Sequence, residues 1–174
     1  MKRMIDPLAS AGQILPALKK GVLLTVAENG FVNTMTIGWG TMGVEWGKPV
    51  FMALVRGCRH TKPMLDRTGE FTVNIPAGEF DKNILRFCGT KSGRDHDKIK
   101  ELGLTLESPE VISVPGIREL PLTLECRVIY SQLQEPTGIL EDDLRRHYPE
   151  TCESIEQDYH TAYYAEILSA YIIE

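Results

Sequence analysis

Long apolar runs are missing from this chain of 174 residues, and so is any dense cluster of positive charge. No stretch approaches the roughly 18 apolar residues that a membrane-crossing helix needs, so a membrane role is not expected. Without a Lys/Arg run, and with a formal net charge of -5 and a pI of about 5.4, nucleic acid is not expected as the main partner. Cysteine is scarce: Cys58, Cys88, Cys126 and Cys152 stand far apart. No C-x-x-C or Cys/His ligand spacing occurs, so no metal site is expected. The opening MKRMIDPLASAGQILPALKK has basic residues but no continuous apolar stretch behind them. The expectation is a cytoplasmic protein with reduced thiols.

What is present suits one globular domain spanning 1–174. The hydrophobic share is 43% and the charged share 25%, enough for a core that needs no metal or disulfide staple. Residues 1–20, with Pro7, Gly12 and Pro16, read as a lead-in segment. Gly21–Ala27 has strand length and is closed by Glu28-Asn29-Gly30. Asn-Gly accepts the positive φ of a tight hairpin turn, so FVNTMTIGW (31–39) reads as the returning strand. Further strands are read at Pro49–Val55, Glu70–Ile75 and Pro121–Leu133. Thr161–Ile173 reads as a strand with a helix as the alternative. Short helices are read from Thr61 (as N-cap) to Gly69, over Asp81–Cys88 ending at Gly89, and around Asp97–Leu102. Six or more strands without βαβ alternation point to a mainly β fold, a closed or partly closed antiparallel barrel. The charged, strand-poor 135–159 stretch reads as a surface insertion.

Three segments could carry chemistry. Arg56-Gly57-Cys58-Arg59-His60-Thr61 lies between a buried strand and a helix start, where unpaired N–H groups, cations and a hydroxyl suit a phosphate. The same residues also suit an ordinary exposed turn. Gly89-Thr90-Lys91-Ser92-Gly93-Arg94-Asp95 brackets hydroxyl and cationic donors with glycines, but it is no P-loop and a solvated loop is its plainer reading. Along Asn33–Gly40, Thr34 and Thr36 share one face with Gly38 and Gly40, while Met35 and Trp39 share the other. The polar face leaves backbone groups open to a flat heteroaromatic ring, although Trp39 also suits plain core.

Together NTMTIGWG (33–40), KPVFMALVRGCRHT (48–61), GEFTVNIP (69–76) and CGTKSGRDHDK (88–98) resemble the flavin reductase-like family of FMN-binding split barrels, flavoredoxins among them. HTAYYAEILSAYI (160–172) looks like that family's closing strand. The resemblance implies an antiparallel split β-barrel with short inserted helices that binds flavin mononucleotide (FMN). It implies that Asn33, Thr34, Met35, Thr36 and Trp39 border the flavin ring. Val55, Arg56, Cys58, Arg59, His60 and Thr61 would hold ribityl and phosphate oxygens. Asn74, Cys88, Gly89, Thr90, Lys91 and Ser92 would complete the phosphate end, and His160 would be the catalytic candidate on the last strand. It further implies a homodimer with the flavin near the interface, NADH or NADPH as electron donor, and a small-molecule or protein acceptor. With no G-x-G-x-x-G between a strand and a helix, no separate nicotinamide domain is expected. An FMN-binding electron carrier, reduced by another protein, is the alternative, and a barrel that has lost its flavin is a third.

Overall fold

Residues 1–148 and 158–174 are described by the structure, a computed structural model. Strand β1 (Lys2–Met4) leads into helix α1 (Ala11–Lys20), and β2 (Val22–Glu28) and β3 (Phe31–Ile37) follow. Their turn places Asn29 at φ 51° and Gly30 at φ 81°, the left-handed pair that a two-residue hairpin needs. A second hairpin joins β4 (Gly40–Glu45) to β5 (Lys48–Arg56), with Trp46 at φ 51° and Gly47 at φ 75° in its turn. Next come α2 (Thr61–Thr68), β6 (Glu70–Ile75), α3 (Lys82–Thr90), α4 (Lys98–Glu101), β7 (Leu106–Glu107) and β8 (Gly116–Ile117). The chain then runs through β9 (Leu122–Leu133), a 3-10 turn at Pro136–Gly138, α5 (Glu141–His147) and β10 (His160–Ile173).

The sheet runs β3-β2-β6-β9-β10-β5-β4, with β1 added to β10 and all pairs antiparallel. β3 and β4 therefore occupy opposite edges, although only Gly38 and Trp39 separate them in the chain. A two-residue link between the two edges requires the sheet to curl into a barrel that stays unsewn between them. β4 begins with Gly40 opposite Ala53. Leu54–Arg56 thus run past the end of β4, pairing with β10 on one side and leaving the other edge open toward β3. Gly40 makes the link tight: a Cβ there would stand 2.5 Å from Met52 O.

Alternation along the strands fills the barrel with Val22, Leu24, Val26, Met35, Phe51, Val73, Leu124 and Tyr163, among others. A smaller apolar cluster lies on the outer face, where Leu23 meets Ile84 and Cys88 of α3 and Ile117 and Leu120. Beside this cluster, on the same outer face, sits a buried polar layer. Thr25 donates to Asn74 Oδ1 at 2.9 Å, Thr72 donates to the same oxygen at 3.3 Å, and Asn74 Nδ2 donates to Thr123 at 3.3 Å.

The split-barrel expectation describes this architecture, and several local readings are corrected. The lead-in segment contains β1 and α1: Ile14 and Leu18, one turn apart, plug the barrel end, and Pro16 forfeits only the bond to the carbonyl of Gly12. β4 was not foreseen, because an edge strand with exposed Thr41 and Val44 shows little burial alternation. Thr61 is not an N-cap; it is the first helical residue, and its hydroxyl accepts from Asn33 Nδ2 at 2.9 Å. α3 does not stop at Gly89 but carries it inside, to Thr90. The closing segment is a strand throughout, since β10 pairs with β9, β5 and β1. No helix among the described residues is long and apolar enough to cross a membrane.

Candidate functional site

At the unsewn gap lie two adjoining cavities. The first, of about 170 Å³, is walled by Met35–Trp39, by Leu54, Arg56 and Arg59, and by His160. Its long walls are the end of β3 and the open edge of β5, so unpaired strand N–H and C=O groups face each other across it. The second, of about 120 Å³, shares Met35 and Arg59 and continues along Cys58–Thr61 and Thr90–Arg94 to Lys98.

The second cavity is rich in donors. Arg59 is anchored to Gly89 O (3.3 Å) and Arg94 to Cys58 O (3.1 Å), so both guanidiniums are held beside the cavity. Lys98 is only 4% exposed, and its Nζ donates to Thr34 O (2.8 Å) and Cys88 O (3.1 Å), clamping α4 to the edge of β3. The cavity is kept open by a glycine. A Cβ on Gly93 would overlap Asn33 Oδ1 and lie 2.9 Å from His60 Cδ2. Four cationic side chains around one cavity in an acidic chain are donors of the kind that suit an anion.

The first cavity is aromatic and less charged. The Trp39 ring meets His147 edge-to-face at 5.0 Å and His160 at a tilt at 5.1 Å. Arg56 donates to His147 O at 2.8 Å, so the end of α5 is pinned over the cavity mouth. The end of α5, in the expected surface insertion, therefore packs against Trp39 and Arg56, two residues that line the cavity. Cys152 and the rest of 149–157 lie outside the described residues.

Burial pushes His160 from its ordinary value of 6.5 to about 4, with Arg56 adding repulsion. His60 is lowered too, first by burial and then by Arg94, Lys98 and Arg67. Between pH 6.5 and 4 the unfolded chain takes up a proton that the folded chain refuses, so stability is lost as pH falls through that window. Thermal midpoints measured from pH 7 to pH 4 are expected to drop, and His160→Gln is expected to flatten the drop. Identical pH slopes in the two proteins would contradict a buried neutral His160.

Of the residues singled out from the sequence, Asn33, Met35, Thr36, Trp39, Arg56, Cys58, Arg59, His60, Thr61, Thr90, Lys91, Ser92 and His160 line the two cavities. Others stand elsewhere. The side chain of Asn74 is used up in the polar layer, and Thr34 shares that layer through a 2.9 Å contact with Thr25. Val55 points into the barrel core, and Cys88 is buried under the outer cluster, its thiol pushed up to about 11 by burial. Gly89 packs on Thr36, whose hydroxyl donates to Leu85 O at 2.6 Å. The threonine face of β3 thus looks outward onto α3, and Met35 contributes to the walls of both cavities. Lys98 and Leu54 were missed among the site residues, while Gly93 and Arg94 stood in the donor-rich segment without an assigned role. A lysine one residue after Asp97, the N-cap of α4, gives no local sign that it will be buried.

A family model for the flavin reductase like domain matches residues 16–174. The chain belongs to this family. Among curated relatives of this flavin reductase-like chain, an uncharacterized protein of Archaeoglobus fulgidus is 32% identical over 97 residues, covering 56% of the chain and 54% of that protein. The chain spans about half the length of the curated relatives it matches. Flavoredoxin of Desulfovibrio vulgaris (Miyazaki F) superposes with a TM-score of 0.65 at 21% identity, over 88% of this chain and 69% of that one. An FMN-binding domain of a flavin reductases-like enzyme from Shewanella baltica OS155 gives 0.66 at 17% identity, over 99% and 77%. At these identities the two structures establish the shared split-barrel fold.

Proposed function

We propose that this flavin reductase-like chain binds one FMN across the two cavities and acts as an NAD(P)H-dependent oxidoreductase. One observation carries the reading: a donor-rich cavity adjoins, at Met35 and Arg59, a second cavity between two free strand edges. The Arg59, Lys91, Ser92, Arg94 and Lys98 side chains would hold the phosphate, with Gly93 leaving it room. The edges of β3 and β5 would take the ring, with Trp39 and His160 at its end. The chemistry FMN supplies when bound is hydride acceptance and onward electron transfer. The protein's part is to orient the ring, to shield it from water with Trp39 and α5, and to neutralise the phosphate. The two structural neighbours, a flavoredoxin and an FMN-binding domain, support the reading. A second copy of the chain would cover the open edge of β4, where Val44 is 65% exposed, and the following turn, where Trp46 is 70% exposed.

The position of α5 favours one rival. With His147 against Trp39, the room left for a nicotinamide is narrow, which suits a carrier reduced by another protein. Anaerobic mixing with NADH and NADPH separates the two. Bleaching of the yellow protein by either nucleotide is the expected result. A protein that keeps its FMN yet is reduced by neither would be the carrier. A colourless protein that cannot be reconstituted would end the flavin reading. Gly93→Ala is expected to weaken FMN binding about tenfold or more, ~1.4 kcal/mol, and unchanged affinity would contradict the phosphate assignment.

A further inference from the structure

Behind the first cavity, two side chains that the proposed flavin site does not use, Tyr148 and Gln134, form a hydrogen-bonded row with His160. Tyr148, one residue beyond α5, places its hydroxyl oxygen 2.6 Å from His160 Nδ1 and 2.8 Å from Gln134 Oε1. Gln134 follows β9 directly, and its backbone N–H donates to His160 O at 2.9 Å. The row is therefore held by the same strand register that places His160. Tyr148 is boxed in: the Arg56 guanidinium lies 5.2 Å from its ring centroid and the Tyr159 ring 5.0 Å away.

Counting protons orders the row. A carbonyl oxygen only accepts, and a phenol has one proton to give. With that proton donated to Gln134 Oε1, the contact to His160 must take its proton from the imidazole. His160 then carries its hydrogen on Nδ1, and Nε2 is a bare lone pair. His160 lines the first cavity, and Nε2 has no hydrogen-bond partner among the described residues. The groups around the imidazole agree with a neutral ring: Arg56, Arg59 and His147 repel a proton there, and Asp158 alone favours one. Burial also raises the Tyr148 phenol, keeping its proton in place.

We propose that Tyr148 is a positioning residue that fixes His160 as a hydrogen-bond acceptor, presenting Nε2 to the first cavity, so that the site favours ligand states with an N–H to donate. The identity of that ligand rests on the FMN reading. A flavin ring has more N–H groups reduced than oxidised, so an acceptor held by the protein favours the reduced state. The tautomer itself is a property of the chain alone.

The test separates the two levels. In flavin-free protein with ¹⁵N-labelled histidine, the His160 signals, identified by their loss in His160→Gln, should show a protonated Nδ1 and a bare Nε2. Tyr148→Phe keeps the ring and removes the hydroxyl, and it should shift the tautomer ratio toward Nε2–H by about tenfold or more, with an unchanged thermal midpoint as the check on folding. In FMN-loaded protein the same variant should lower the preference for reduced over oxidised flavin about tenfold, a fall of about 30 mV for two electrons. A wild-type His160 protonated on Nε2, or a ratio indifferent to Tyr148→Phe, overturns the proposal. A wild-type Nδ1–H signal in a protein that binds no FMN upholds the tautomer and sinks the flavin reading. A correct tautomer with an unmoved flavin potential removes the ligand preference.

Discussion

Lys98→Met should be the most damaging single change in the site, lowering stability and FMN affinity together. The ammonium is buried, and it satisfies two buried carbonyls, Thr34 O and Cys88 O. Methionine fills the volume but offers no donor. Each carbonyl left without a partner costs about 1–3 kcal/mol, so a loss of about 2–4 kcal/mol is expected in urea unfolding. The variant also deletes the most buried cation of the donor-rich cavity. Charge-assisted hydrogen bonds contribute about 1.5–3 kcal/mol, which corresponds to FMN binding roughly 100-fold weaker, readable by fluorescence titration. A variant as stable as the parent and with the same FMN affinity would refute both roles.

Glu125→Ala is expected to damage the fold by a similar amount and leave the site alone. Glu125 is fully buried on β9, and its carboxylate accepts from the backbone N–H groups of Glu110 (2.7 Å), Val111 (2.8 Å) and Ile112 (3.3 Å). These bonds fasten the 108–113 segment to the outside of the barrel. Alanine strands three donors and leaves a cavity, for a loss of about 3–5 kcal/mol. Hydrogen exchange should show the amides of 110–112 losing protection first, while FMN affinity per folded molecule stays within twofold of the parent. Retained protection at those amides would show that the carboxylate is not what holds the segment.

The contrast between these two residues shows what the sequence could disclose. The Asn29-Gly30 turn, the alternation through β9 and the strand-to-helix turn at Arg56–Thr61 are local signals, and each appears where local rules place it. Lys98 and Glu125 look like ordinary surface charges in their neighbourhoods. Only the folding of α4 against β3, and of 108–113 against β9, buries them, and such tertiary facts leave no short-range trace. Asn74 and Thr34 err in the opposite sense. Polar residues on a strand suggested a ligand-facing surface, but they satisfy one another, with Thr25, Thr72 and Thr123, beneath the outer layer. α1 was hidden by Pro7, Gly12 and Pro16, residues that usually punctuate loops. Family resemblance supplied His160; the Tyr148–Gln134 row behind it joins residues whose sequence neighbourhoods carry no mark of the contact.

Gly38 and Trp39, the two residues joining opposite edges of the sheet, also set a dimension. Ile37 and Gly40 can stand at most about 11 Å apart across them, however far the gap widens beyond. The opening between β3 and β5 is therefore closed at this end by a stop of fixed span. What it gauges in a flat ligand is depth of insertion more than area, because a plane slides in until its leading edge meets the link. One additional residue between Ile37 and Gly40 would set that stop further back while leaving every wall in place.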